Sequence, residues 1–488
     1  MLTRGPVIFL NLIALLLMLN GCTTVGPDYK APEMQPPEKW QKIEDPSLKP
    51  DKTDIREWWK IFDDPMLSRL IAMAADSNHD LRIAVARVNE ARARLGIISG
   101  QTAPVVNAVS GGTTNRAGGE TGAADAPTHT RFSAGLDASW EIDLFGRISR
   151  SVETETAELQ AAAEDRNDVM VTMYAEVART YLEIRTLQAR LSSANGNIAS
   201  QKDILKLTQK RFKHGLATAL DVAQAERVLA SSEAAVPPLR IQLNQDINTM
   251  GVLMGRAPGH LYKELSKVSA IPLPPASVAV GVPADLLRQR PDIRKVERHL
   301  AAQTARIGVA TADLYPTLSL SGSINIGFSD MVTGGSTGFS FGPSLRWNVF
   351  DRSRIRNQIK VEDARTEQAL LNYEKTVLNA LNEVENAMTA FLEQRIQYEA
   401  QQRAAAAAKK SLKLSAKLYK DGLIAFQTVL DAQLALFDFE NQVAEAQGNA
   451  AANVVRLYKS LGGGWNPDAI ATDDDKNSPA QKKKSDDS

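Results

Sequence analysis

A single cysteine, Cys22, stands in a chain of 488 residues. No disulfide can close within the chain, and no Cys-based metal centre is possible. Histidine is scarce and scattered: His79, His129, His214, His260 and His299 never fall four residues apart, so the ligand pair of an HExxH helix is missing. GxSxG, GxxxxGK(S/T) and CxxC are absent too. With so little catalytic vocabulary, the expectation is no enzyme, no metal and no cofactor. Excess charge is lacking as well: Lys+Arg and Asp+Glu both total 57. That removes the concentrated basic surface a nucleic acid needs. The short Lys482–Lys484 run is followed by Asp486 and Asp487 and reads as a solvated tail.

The longest apolar run is short. It covers residues 7–19, broken by Asn11, with Arg4 ahead of it. This is too short for a spanning helix and has the flanks of a secretory signal. It ends in Leu19-Asn20-Gly21-Cys22, which resembles a bacterial lipoprotein processing site. Residues 1–21 are then a lipoprotein signal peptide and Cys22 the acylated mature N-terminus, the alternative being a leftover thiol. Thr23 stands where such lipoproteins carry an aspartate for inner-membrane retention, so the resemblance points to the outer membrane. Residues 22–62 follow, with Pro27, Pro32, Pro36 and Pro37, a stretch expected to run extended.

What the chain does have is itself, twice. Asp80-Leu81-Arg82 matches Asp292-Ile293-Arg294, Ala93-Arg94-Leu95-Gly96 matches Ala305-Arg306-Ile307-Gly308, and Pro104 matches Pro316, all 212 positions apart (80 to 292). Farther on, Trp140 matches Trp347, and the segment from Arg211 to Leu216 matches that from Leu418 to Leu423, 207 apart (211 to 418). The first repeat is placed at 63–255, a linker or equatorial belt at 256–282, the second repeat at 283–465, and a disordered tail at 466–488. Each repeat reads as helix, hairpin, very long helix, tight turn, returning helix.

The hairpin strands are expected near 103–115 and 131–144, then near 316–328 and 338–350. Phe132, Ala134, Leu136, Ala138, Trp140, Ile142 and Leu144 alternate with polar residues and glycine; Leu318, Leu320, Ile324, Ile326 and Phe328, and then Phe339, Phe341, Leu345, Trp347 and Val349, do the same. Period two over ten or more residues is the pattern of a tilted membrane strand. Pro343 inside a strand predicts a bulge or break. The Gly- and Thr-rich stretches 111–130 and 329–338 read as loops at a barrel mouth. A soluble sandwich with one wet face is the alternative, but two hairpins are too few to build one. Four strands cannot close a barrel either, and an open edge cannot lie in lipid. Several subunits must therefore each give four strands. Two would make a narrow plugged tube; three or four would leave a passage.

The helices are long. They are placed at 146–213 and 352–420; no proline and only Gly196 interrupt 147–213, and the second is comparable, each roughly 100 Å at about 1.5 Å per residue. Leu378, Leu381, Val384, Glu385 and Met388 suggest a packed seam. The returning helices are placed at 220–254, broken by Pro237-Pro238, and at 426–461.

The stretches Gly21–Tyr29, Trp58-Trp59 with Phe62-Asp63-Asp64-Pro65, Trp140–Gly146 and Arg288–Ile293 carry a resemblance. The mature chain to about Trp465 resembles the TolC-like outer-membrane factors, in the NodT- and OprM-like lipoprotein branch of RND-type efflux systems. The resemblance implies a mainly α fold with transmembrane β. In it, three chains share a 12-stranded barrel continuous with a coiled-coil periplasmic tunnel. It implies an outer-membrane conduit for drugs and xenobiotics. The implied partners are a homotrimer mate, a periplasmic membrane-fusion adaptor, an inner-membrane RND-type transporter and outer-membrane lipid. It places an acidic iris near the helix tips. Asp431 matches one iris aspartate, Thr428 stands where some members carry a second, and Asp221 is the matching place in the first repeat. Asp431 and Asp221 can instead be read as first-turn helix residues favoured by the dipole. Gly215 and Gly422 would supply the tip turns. Two other functions remain: a channel for metal ions or type I secreted protein, and a trimeric surface stalk, against which the duplication argues.

Overall fold

The computed structural model describes residues 24–34, 36–50, 54–116, 128–273, 275–329 and 332–466. Cys22, the signal peptide and the tail beyond 466 lie outside the described residues. In chain order the elements are β1 (Leu48–Lys49), α1 (Pro65–Ser77), α2 (His79–Ser99), β2 (Val105–Arg116), β3 (Thr128–Ile142), α3 (Arg147–Lys213), α4 (Ala219–Ala234), α5 (Val236–Leu253), β4 (Val278–Ala279), α6 (Pro291–Ala312), β5 (Thr317–Ser329), β6 (Val332–Arg346), α7 (Arg352–Lys420) and α8 (Phe426–Ser460). The chain divides into two compact units, residues 1–33, 86–163 and 295–375 in the first, and 34–85, 164–294 and 376–488 in the second.

The first unit holds a four-stranded antiparallel sheet, ordered β2-β3-β5-β6, so consecutive hairpins lie side by side. Its register is continuous from Val105↔Ser139 to Arg116↔Thr128, and from Arg131↔Ser329 to Ile142↔Leu318. Pro343 pairs with Leu320 without a break, and the one irregularity falls between Gly327 and Ser329 instead. The expected bulge is absent: proline removes only its own N–H, and the β5–β6 register runs through Pro343 unshifted. The loops are shorter than the glycine content suggested: positions 111–116 lie in β2 and 332–338 in β6. Glycine weakens a strand but does not forbid one when a continuous ladder holds it.

Beside the sheet, the N-terminal segment is pinned to helices. Val25 N–H donates to Phe145 O at 3.2 Å. The buried Arg150 donates to Val25 O, Gly26 O and Asp28 Oδ1 at 3.1, 3.3 and 2.7 Å. Gly26, at φ 88°, packs so close to Gly308 that a Cβ would sit 2.5 Å from Gly308 Cα. Tyr29 donates its hydroxyl to Glu297 Oε1 at 3.0 Å. Residues 24–34 have no helix or strand, as their prolines require, but farther on the 22–62 stretch is not extended throughout: it turns, forms β1 and ends in a 3-10 helix at Trp58–Phe62.

The second unit is built on helix packing around aromatic residues. Trp58 stacks on Tyr458 with centroids 5.8 Å apart, and Trp59 meets Tyr174 edge-on at 5.0 Å. Asp64 caps α1, accepting from Met66 and Leu67 N–H, and takes the Tyr181 hydroxyl at 2.6 Å. The stripe that α7 buries here is Val377, Ala380, Val384, Ala387, Met388 and Phe391, a three-four spacing. Leu378, expected in that seam, is 61% exposed, because it sits one position off the stripe. The break expected at Pro237-Pro238 is present, at Ala235 between α4 and α5, and the prolines occupy the first turn of α5, where the missing N–H is unneeded. The belt segment adds β4, which pairs in parallel with β1. Its carbonyls at Leu265 and Lys267 accept from Gln188 Nε2, and Lys267 O also from Arg185.

Candidate pore-lining sheet and helical tip

The sheet separates chemistry by face. Phe132, Leu136, Ile324, Phe328, Phe339 and Phe341 are exposed, and the register sets Phe132 against Phe328 and Leu136 against Ile324, with Ile324 against Phe339. So many large apolar groups cannot stay in water as one contiguous face; they require lipid. Among the described residues no helix is long and apolar enough to cross a membrane. From Phe132 to Trp140 a strand advances about 27 Å before tilt. The apolar face ends in tryptophans fixed in the same way in both repeats: Trp140 Nε1 donates to Thr102 O at 3.0 Å, and Trp347 Nε1 donates to Leu314 O at 3.0 Å. Phe145 and Tyr315 stack nearby with centroids 4.6 Å apart. Aromatic rings with a satisfied polar atom are the usual residents of a membrane interface.

The other face is polar. Ser323 Oγ and Ser340 Oγ lie 2.9 Å apart across two strands, and Asn325 Nδ2 donates to Ser323 Oγ at 3.1 Å. Below it, Arg147 clamps Glu141 with two bonds of 2.9 and 2.8 Å, and Asp143 Oδ2 accepts from Ser149 N–H and Oγ, both at 2.7 Å. These bonds join β3 to the first turn of α3 at Gly146, whose φ of 80° only glycine adopts freely. The two outer strands, β2 and β6, keep an unpaired edge along 12 and 15 residues.

The helical tip lies wholly in the second unit. Both long helices end in the same motif. Leu216 N–H donates to Arg211 O at 2.8 Å around Gly215 at φ 71°, and Leu423 N–H donates to Leu418 O at 2.9 Å around Gly422 at φ 78°. This six-to-one bond with a left-handed glycine satisfies the last carbonyls of each helix. Below the turns Ala225, Val228, Tyr419, Phe426, Val429 and Leu430 form a buried apolar cluster. The Arg211 guanidinium donates to Tyr419 O at 2.9 Å and Lys420 O at 3.0 Å while lying 4.6 Å from the Tyr419 ring centre. It therefore caps α7 from the other repeat. Sequence reasoning passed over Arg211, although its repeat partner is an apolar leucine, Leu418, and such an asymmetry is the signal that could have found it.

The two acidic candidates differ. Asp221 forms a capping box at the start of α4: its Oδ2 accepts from Thr218 N–H at 2.8 Å, and Thr218 Oγ1 accepts from Asp221 N–H at 3.2 Å. The helix-start reading is thus the one with contacts behind it. Asp431 is exposed and lies beyond the first turn of α8, which holds no acid. Among the described residues its side chain takes one hydrogen bond, from Gln427 Nε2 to Oδ1 at 2.8 Å. Thr428 is exposed, three residues earlier on the same side. Among the described residues no group of three or more His, Cys, Asp or Glu side chains is placed to hold a metal.

Residues 70–256 and 282–463 match the family model of the outer membrane efflux proteins, once for each repeat. The chain belongs to the outer membrane efflux protein family. It is 33% identical over 460 residues to nodulation protein T of Rhizobium leguminosarum bv. trifolii, covering 93% of this chain and 97% of that protein. A probable outer membrane lipoprotein of Salmonella typhimurium, SilC, is 28% identical, covering 93% and 98%. The solved outer-membrane channel OprN superposes with a TM-score of 0.85 at 34% identity, covering 91% of this chain and 99% of that one. As a member of this family the chain is an outer-membrane efflux component with the mainly α, partly transmembrane β fold that the resemblance implied.

Proposed function

We propose that this efflux protein is a passive conduit that works as a homotrimer. It carries small molecules from a periplasmic adaptor and an inner-membrane RND-type transporter to the outside. The observation that carries the reading is the sheet. It has one face that needs lipid, one that needs water, and two long edges that lipid forbids. Only pairing of β6 with β2 of the next copy satisfies all three. Four strands per chain then make a barrel of about 12, wide enough to stay open. The chain does no chemistry on its cargo, and the energy enters at the transporter.

At the tip, Asp431 forms the acidic constriction, one carboxylate from each subunit, with Thr428 adding a neutral hydroxyl and no second acidic ring. Its exposure and its place past the first turn support this, since no helix end explains a carboxylate there. Asp221 serves its helix and not the pore. Gly215 and Gly422 hold the turns that meet the adaptor. Cys22 carries acyl chains in the outer membrane, two residues before the pinned segment.

Purified protein in planar bilayers should give discrete single-channel steps, and Asp431→Ala should raise their conductance or weaken cation preference. No pores at all would end the conduit reading. Pores unchanged in both respects by the substitution would end the assignment of Asp431 alone.

A further inference from the structure

Charge is spread unevenly along the polar face of the sheet. At one level the register aligns Asn107 with Asp137, Asp137 with Ser323 and Ser323 with Ser340. Leu136 and Ala138 flank Asp137 on β3 and take the lipid-facing side, so Asp137 shares the face of the bonded Ser323 and Ser340 hydroxyls. It is the sole ionisable side chain of that level. The others on this face stand apart. Arg131 is six residues from Asp137 along β3, with His129 beyond it, and Arg346 is six residues from Ser340 along β6, each about 20 Å away. Glu141 is four residues away and already clamped by Arg147. Asp137 has no side-chain hydrogen bond or ion pair with any described residue.

We propose that Asp137 is a specificity-determining residue of the barrel lumen, a charge filter separate from the tip, which favours cationic over anionic solutes; this rests on the conduit reading above. Twelve strands spaced about 4.8 Å apart and tilted by about 40° close at a backbone radius of about 12 Å, leaving three carboxylates roughly 9 Å from the axis. At about 0.1 M salt the Debye length is about 10 Å, so their fields still overlap on the axis; at about 1 M it falls to about 3 Å and they do not. Arg131 and Arg346 lie at about twice the longer length and leave the Asp137 level negative. Coulomb's law in water then gives a cation-over-anion preference of roughly two- to fivefold at the low salt, and none at the high.

Reversal potentials across planar bilayers test this. Asp137→Asn should shift the cation-to-anion permeability ratio toward anions by about two- to fivefold at about 0.1 M salt and leave it unchanged at about 1 M. Asp137→Lys should shift it further in the same direction. A second assay needs no conductance. With Ser323→Cys as a reporter in whole cells, a cationic thiosulfonate should outpace an anionic one, and adding Asp137→Asn should narrow that gap. Equal ratios with and without Asp137 in both assays overturn the proposal, as does a shift that persists at about 1 M or a Ser323→Cys thiol that reacts with neither reagent. Wild-type protein that forms no pore sinks the conduit reading and this filter with it; a normal pore indifferent to residue 137 sinks only the filter.

Discussion

Single carboxylates in the helices carry opposite pH signatures. Glu183 on α3 and Asp246 on α5 are both pushed above the usual carboxylate range, first by burial, and Glu183 further by the charge of Asp246. Asp246 Oδ1 accepts from Gln242 at 3.1 Å, whereas its buried Oδ2 has no partner. A raised carboxyl binds more protons folded than unfolded, so its contribution to stability falls as pH rises through the raised value. Asp246→Asn should therefore raise the thermal midpoint by about 1–2 °C near pH 7.5, with the gain shrinking toward pH 4. A midpoint lowered at both pH values would show that the charge is wanted. Glu158 runs the other way: the His299 Nδ1 bond at 3.1 Å and then the His299 and Arg306 charges hold it below the usual range. Its stabilisation is present above the ordinary carboxylate pKa and is lost as pH falls through the depressed one.

The elements show where helices are held tightly and where loosely. Arg190 Nε to Asn441 Oδ1 at 2.7 Å and Ser193 Oγ to Glu440 Oε2 at 2.9 Å set α3 antiparallel to α8. Continuing that register brings Gln201 level with Gln433. Both are almost fully buried, yet Gln201 Nε2 and Oε1 and Gln433 Nε2 have no hydrogen-bond partner. Between this layer and the turns lies the apolar tip cluster. An unsatisfied buried amide costs about 1–3 kcal/mol, so an apolar side chain of similar size is tolerated or better. Gln201→Leu should leave the trimer intact and raise its unfolding midpoint in a thermal melt. A clear loss of stability would mean that the amide is paired in the assembly.

At the scale of the whole molecule, the acyl anchor proposed at Cys22 and the proposed barrel are separate devices. Acyl chains contribute about 0.8 kcal/mol per buried CH₂, whereas the barrel is held by strand pairing. Cys22→Ala should abolish incorporation of labelled palmitate and still give trimers on a native gel. Labelling that survives the substitution would refute the lipid site.

The sequence by itself determined most of this architecture, because periodicity and repetition are local properties of a chain. Alternating residues from Phe132 to Leu144 mark a two-faced strand, 67 residues from Arg147 to Lys213 without proline make one helix, and the 212-residue offset shows that everything happens twice. The glycines at 215 and 422 announced their turns for the same reason. What only the tertiary structure decided depends on partners distant in sequence. The β5–β6 register runs through Pro343 unshifted, so the residue that predicted a bulge makes none. Facing helices chose which side of α7 is buried and left Leu378 outside. Arg211 reached across to the other repeat, and three strands beside β3 gave Asp137 a level of its own. Charge in a pore is a matter of what stands alongside, and that is set by pairing, which composition does not encode.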